Sequence, residues 1–146
     1  MKKAEKAKEL FNEGYNCAQA VFCAFADEMN IDLPTAKKLS SSFGGGMGGL
    51  REVCGAVSGM FMVLGALYGY DSPTDHGAKT LHYARIREAA ENFKEKNGSI
   101  ICRELLSGIR HSENPQKRDA EYYKKRPCPD IVFECAKIIE EYEANN

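Results

Sequence analysis

The sequence predicts an all-α protein, a single-domain bundle of about six to eight helices around a central glycine-rich apolar helix. Three observations carry that prediction. Long runs rich in Ala, Leu, Lys and Glu lack the alternation of a half-buried strand. Cap and breaker residues recur at helical spacing, among them Asn16, Pro34, Ser99 and Pro129. Residues 53–70 pass without a single charge.

The first helix is expected from Lys2 to Glu13, ended by Gly14. The second runs from Cys17 to Met29, with Asn16 as N-cap and Gln19 completing a capping box. The third starts near Pro34, a natural first-turn residue, and ends near Ser42. A glycine stretch follows, and the fourth helix runs from Glu52 to Tyr68. Ser72-Pro73 opens the fifth helix, which stops at Asn97-Gly98. Ser99 caps a short sixth helix through Leu106. The polar stretch Gly108 to Arg126 is expected to hold a short helix around Asp119 to Lys125. Cys128-Pro129 opens the last helix, to about Tyr142.

The uncharged run only reaches the threshold length for a membrane span. The other helices are amphipathic, so a buried helix is expected rather than stable membrane insertion. Its glycines, Gly55, Gly59, Gly65 and Gly69, would admit a neighbouring helix or a second copy of the chain. A homodimer through that face is therefore one expectation.

A chain of 146 residues with 43% apolar content is one domain, 1–146. Lys+Arg 20 against Asp+Glu 21 leaves a net charge of −1, which argues against nucleic acid and polybasic membrane contacts. The start, MKKAEKAKEL, lacks an apolar signal core, so a cytoplasmic location is expected.

The stretch FGGGMGGLREVCGAVSG, residues 43–59, offers Gly44, Gly46 and Gly49 in a G-x-G-x-x-G pattern. That pattern binds dinucleotides only between a strand and a helix. Here a helix precedes it, and Leu50-Arg51 stands where a phosphate loop needs Lys-Ser/Thr. That context argues against nucleotide binding. Gly44, Gly45, Gly46 and Gly55 remain candidates for backbone that approaches a cofactor or anion.

Six cysteines without a CxxC pair are a high count for a reducing compartment. Cys17, Cys54, Cys102 and Cys128 all fall at expected helix starts. There, unpaired N–H groups and the helix dipole favour thiolate, the form that binds metal and exchanges electrons. Glu52 and Glu104 oppose that effect, and Arg51 and Arg103 support it. Cys23 and Cys135 lie mid-helix among apolar residues and read as small buried hydrophobes. His82 shares a face with Ile86, Ala89 and Phe93 and reads as a core histidine, with metal ligation as the sharper alternative. His76 and His111 are expected to face solvent.

NCAQAV at 16–21, FGGGMG at 43–48, CGAVSG at 54–59, CRELL at 102–106 and CPDIV at 128–132 come in that order. Together they resemble the C_GCAxxG_C_C family of small cysteine-rich redox proteins. The resemblance spans about Gly14 to Ile139, and the central element reads C-G-A-x-x-G where the family label is written G-C-A. It implies four signature cysteines, matched here by Cys17, Cys54, Cys102 and Cys128. It also makes an iron–sulfur or other metal centre an expectation.

The expected function is thus redox, through those four cysteines. They would act as ligands of an iron–sulfur cluster first and zinc second, or as a dithiol/disulfide carrier with Cys54 central. The partner would be another redox protein. A structural zinc protein or a dimeric interaction module is the competing expectation.

Overall fold

The structure, a computed structural model, describes residues 2–106 and 127–146. The predicted helix near Asp119 and His111 lie outside them. The described residues are all-α, with one isolated antiparallel bridge between Val53 and Ile101.

Helix α1, Lys2–Asn12, buries Ala4, Ala7 and Phe11, one stripe at helical spacing. Two alanines on that stripe let it lie close to α2, Cys17–Ala24, and to the last helix. The predicted capping box of α2 forms in full. Asn16 accepts from the Gln19 N–H at 2.9 Å, and the Gln19 side chain accepts from the Asn16 N–H at 3.1 Å. The long second helix expected to Met29 is instead broken at Phe25, and α3 spans Ala26–Met29. Phe25 leaves helical geometry at φ −106°, ψ 9° and is itself fully buried. Side-chain burial thus coincides with the break.

Helix α4, Leu33–Ser40, is capped by Asp32 rather than opened by Pro34, which sits in its first turn. A 3-10 turn, Ser41–Phe43, leads into α5, Gly44–Met47. This short element winds the other way. Gly45, Gly46, Met47, Gly48 and Gly49 all have φ between 62° and 82°. The Gly48 N–H donates to the Gly44 carbonyl and closes the turn. A left-handed turn costs an L-residue about 1–2 kcal/mol per position, which explains why glycine fills four of these five.

The apolar helix α6 runs Gly55–Tyr68, three residues shorter at its start than the expected onset at Glu52. Val53 is drawn into the bridge with Ile101, so the chain is extended there. No helix among the described residues is long and apolar enough to cross a membrane. Helix α6 touches α2, α3 and the two long helices that follow it. Its first glycine pair is used inside the chain. A Cβ on Gly59 would meet the Ala18 carbonyl at 2.9 Å, so the α2 backbone lies directly against it. Gly65 has open space around it.

Helix α7, His76–Asn97, is capped by Asp75, which accepts from the Ala78 N–H at 3.0 Å. The expected opening at Ser72-Pro73 is therefore three residues early. Its buried residues are His82, Ala89 and Phe93, as the shared face predicts. Helix α8 is short, Cys102–Leu105, and α9 runs Cys128–Asn145. Helix α9 buries Ile131, Val132, Cys135, Ala136, Ile138 and Ile139 against α1, α2 and α6.

Candidate functional site

The chain turns that start α2, α6, α8 and α9 converge on one cavity of about 480 Å³. Cys17, Cys54, Cys102 and Cys128 all line it. Cys17, Cys102 and Cys128 are the first residues of their helices, and Cys54 is the N-cap of α6. Cys54 and Cys102 are buried, and Cys17 and Cys128 are partly exposed.

The bridge brings Cys54 and Cys102 together. The Cys54 N–H donates to the Ile100 carbonyl at 2.8 Å, and the Cys102 N–H donates to the Glu52 carbonyl at 2.5 Å. The Arg103 N–H adds a third rung to the Arg51 carbonyl at 3.2 Å. No local pattern in the sequence announces this pairing, because each strand piece is too short to show alternation. Cys17 and Cys128 lie near enough for each thiol to oppose ionisation of the other.

The glycine turn forms the facing wall, and Gly44, Gly45, Gly46 and Gly55 all line the cavity. Close approach requires glycine at two of them in particular. A Cβ on Gly46 would lie 2.7 Å from Arg51 Cα and from Cys102 Cβ. A Cβ on Gly55 would lie 2.8 Å from the Phe43 carbonyl and 3.3 Å from Cys17 Cβ. The glycines therefore hold the wall against the cysteine-bearing elements.

The thiol electrostatics reverse the expectation drawn from helix starts. Cys54 is pushed up to about 12 by burial, although the Ala56 and Val57 N–H groups face its sulfur and pull the other way. They do so without a formal capping hydrogen bond. Cys17 is raised well above an ordinary thiol, first by the Cys128 thiol beside it, then by burial and by the charges of the other three cysteines. Burial and mutual repulsion outweigh the dipole. The flanking charges are partly committed elsewhere. Glu52 pairs with Arg103 at 3.0 Å, and Glu104 accepts from the Ser99 hydroxyl at 2.6 Å. Arg51 Nη1 approaches Cys102 Sγ at 3.8 Å.

His82 is not part of this cavity. It is buried on α7 with Nδ1 2.8 Å from Arg85 Nη1. Burial first, then the Arg85 charge, lower its pKa. Cys23 and Cys135 are both buried in the core. Cys135 lies near enough to Cys54 for the two charges to interact, and burial raises it strongly. Cys23 is raised by burial, and a hydrogen bond with Ser40 opposes that.

A four-thiol lining is the donor set of thiolate-bound iron–sulfur clusters and of Cys₄ zinc. Among the described residues no group of three or more His, Cys, Asp or Glu is arranged to hold a single metal ion. The four cysteines match a multi-iron cluster in donor type and line a cavity with room for one, whereas their arrangement does not match a single-ion site.

The sequence matches the family described as "Putative redox-active protein (C_GCAxxG_C_C)" over residues 15–142. An uncharacterized protein of Archaeoglobus fulgidus is similar, at 30% identity over 94% of this chain and 93% of its own length. No solved structure matches. The chain belongs to the C_GCAxxG_C_C family, whose name describes redox activity.

Proposed function

We propose that the four-cysteine cavity is a redox centre in which Cys17, Cys54, Cys102 and Cys128 ligate an iron–sulfur cluster. One observation carries the reading: four helix starts, far apart in sequence, deliver four sulfurs to one cavity. Packing alone does not call for that, since a buried cysteine serves equally well mid-helix, as Cys23 and Cys135 do.

Crowded thiols resist ionisation, as the raised Cys17 and Cys54 show. A cationic centre reverses that balance, because ligation and deprotonation are coupled. A cluster would supply one-electron exchange. The protein's own share is to fix Cys54 and Cys102 through the Val53–Ile101 bridge and to aim the Ala56 and Val57 N–H groups at the Cys54 sulfur. The glycine turn keeps side-chain bulk out of the space between. Electrons would pass to and from a partner redox protein in the cytoplasm.

The proximity of Cys17 and Cys128 in the cavity favours a second reading, a dithiol/disulfide carrier. There, loss of two electrons and two protons to a partner's disulfide would join the two sulfurs and leave the partner a dithiol. A structural zinc centre or an interacting homodimer without redox turnover is the remaining alternative.

Anaerobic purification with iron and sulfide reconstitution, followed by absorption spectra and metal analysis, separates these. Charge-transfer bands with stoichiometric iron are expected. Colourless protein with one zinc would sink the redox reading. Metal-free protein whose Cys17 and Cys128 titrate as a reversible pair would replace the cluster with the dithiol.

A further inference from the structure

We propose that Arg51 is the charge-setting residue of the four-cysteine centre: its guanidinium, held against Cys102 Sγ, biases the centre toward its reduced and more negative state. The inference rests on the redox reading above.

Arg51 lines the cavity, and its Nη1 lies 3.8 Å from Cys102 Sγ. Its guanidinium stays charged at any working pH. The backbone that carries it is clamped from two sides. The Arg51 N–H donates to the Gly45 carbonyl at 3.1 Å. The Arg51 carbonyl accepts from the Arg103 N–H and from Arg103 Nη1, each at 3.2 Å. Arg51 itself sits at φ 61°, a left-handed conformation that a side-chain-bearing residue rarely adopts. That conformation is maintained by the rungs on either side of it, and it sets where the side chain departs. A Cβ on Gly45 would lie 3.7 Å from Nη1, so the glycine turn borders the guanidinium.

The geometry thus spends a strained residue and a glycine-lined wall on placing one fixed cation beside one cavity sulfur. A cluster held there would gain one negative charge on taking up one electron from the partner redox protein. A fixed positive charge and a donated hydrogen bond stabilise that form, since net charge and hydrogen bonds to sulfur set such potentials. In a desolvated site the effect is larger than at a surface.

Arg51→Met removes the charge and keeps an apolar stem, and Arg51→Lys keeps the charge. Mediator titration of the iron-loaded full chain should find the midpoint potential lower in Arg51→Met. The expected shift is about tenfold in the reduction equilibrium, or about 59 mV for one electron. Arg51→Lys should retain most of the wild-type value. In metal-free protein, the iodoacetamide rate at Cys102 relative to Cys128, read by mass spectrometry, should fall about tenfold in Arg51→Met. Circular dichroism confirms folding, and Arg51→Gln replaces Arg51→Met where the latter does not fold.

A retained cluster with an unshifted potential overturns the role of Arg51 and leaves the redox centre standing. If wild type takes up no cluster, the cluster reading fails by itself, and the Cys102 rate decides Arg51. An unchanged rate overturns it, and the tenfold fall supports it.

Discussion

Two sets of cysteines share this small core and are placed by different rules. Cys23 and Cys135 lie inside helices, with 3% and 0% of their surfaces exposed, among aliphatic and aromatic side chains. Cys17, Cys54, Cys102 and Cys128 lie at helix starts around a cavity bordered by glycine backbone and Arg51. Burial alone does not separate the sets, since Cys54 is 6% exposed. Backbone position does. A mid-helix cysteine faces packed side chains, whereas a helix-start cysteine faces unpaired N–H groups and a change of chain direction that leaves space. Position on the helix, rather than depth, separates the thiols that line the cavity from those that pack in the core.

The sharpest way to break this comparison is to delete one member of each set. Cys54→Ala should cut bound iron and the reversible redox signal more than tenfold, by metal analysis and voltammetry of the reconstituted chain. Cys23→Ala should leave both unchanged. Equal losses from the two would erase the distinction.

The next effect concerns the wall that holds the helix-start set together. Gly46→Ala forces a Cβ against the Arg51 backbone and Cys102 at a φ of 71°. Urea unfolding should show a loss of about 3 kcal/mol, with left-handed strain and overpacking both contributing. A loss under about 1 kcal/mol would mean the turn shifts freely and the cavity wall is not held by close contact.

A smaller effect tests the packing set. Cys135→Ser places a hydroxyl in an apolar, fully buried site and should cost about 1–3 kcal/mol, while iron content stays at the wild-type level. Lost iron with unchanged stability would move Cys135 from the packing set to the cavity set. Its electrostatic contact with Cys54 makes that the more demanding control.

The smallest effect lies away from both sets. Burial first, then a hydrogen bond with Glu28 and the charges of Glu28 and Glu140, push Glu143 up to about 7. A carboxyl raised in the folded state contributes stability that is complete below its unfolded value of 4.5 and is lost as pH rises through about 7. Glu143 is only partly buried, so screening limits the change to about 1 kcal/mol or less. Glu143→Gln should flatten the fall in stability between those pH values, measured by thermal melts across the range. A matching fall in the variant would assign it to other groups, the cysteines included.

The outline of the fold was legible wherever a local rule governed. The Asn16–Gln19 capping box, the buried face of His82, Ala89 and Phe93, and the start of α9 at Cys128 follow from neighbours along the chain. The helix-start placement of four cysteines was legible for the same reason. Misplaced boundaries cluster where distant segments compete with local preference. Val53 pairs with Ile101 and delays α6. Phe25 is fully buried where the long second helix breaks. The glycine stretch declared flexibility but not handedness, and its left-handed turn is closed by bonds as long-ranged as Glu52 N–H to the Gly46 carbonyl.

The sequence by itself determined the helical class, the helix-start cysteines and, through ordered motifs, the family. Those are properties of short windows, where caps, periodicity and spacing act within a turn or two. Only the tertiary structure decided that the four cysteines line one cavity, that Cys17 and Cys128 come close to each other, and that Arg51 leans on Cys102. It also decided the sign of the thiol shifts. Helix dipoles act locally and favour thiolate, but desolvation and the approach of other sulfurs depend on how remote segments fold together, and at Cys17 and Cys54 those effects are the larger.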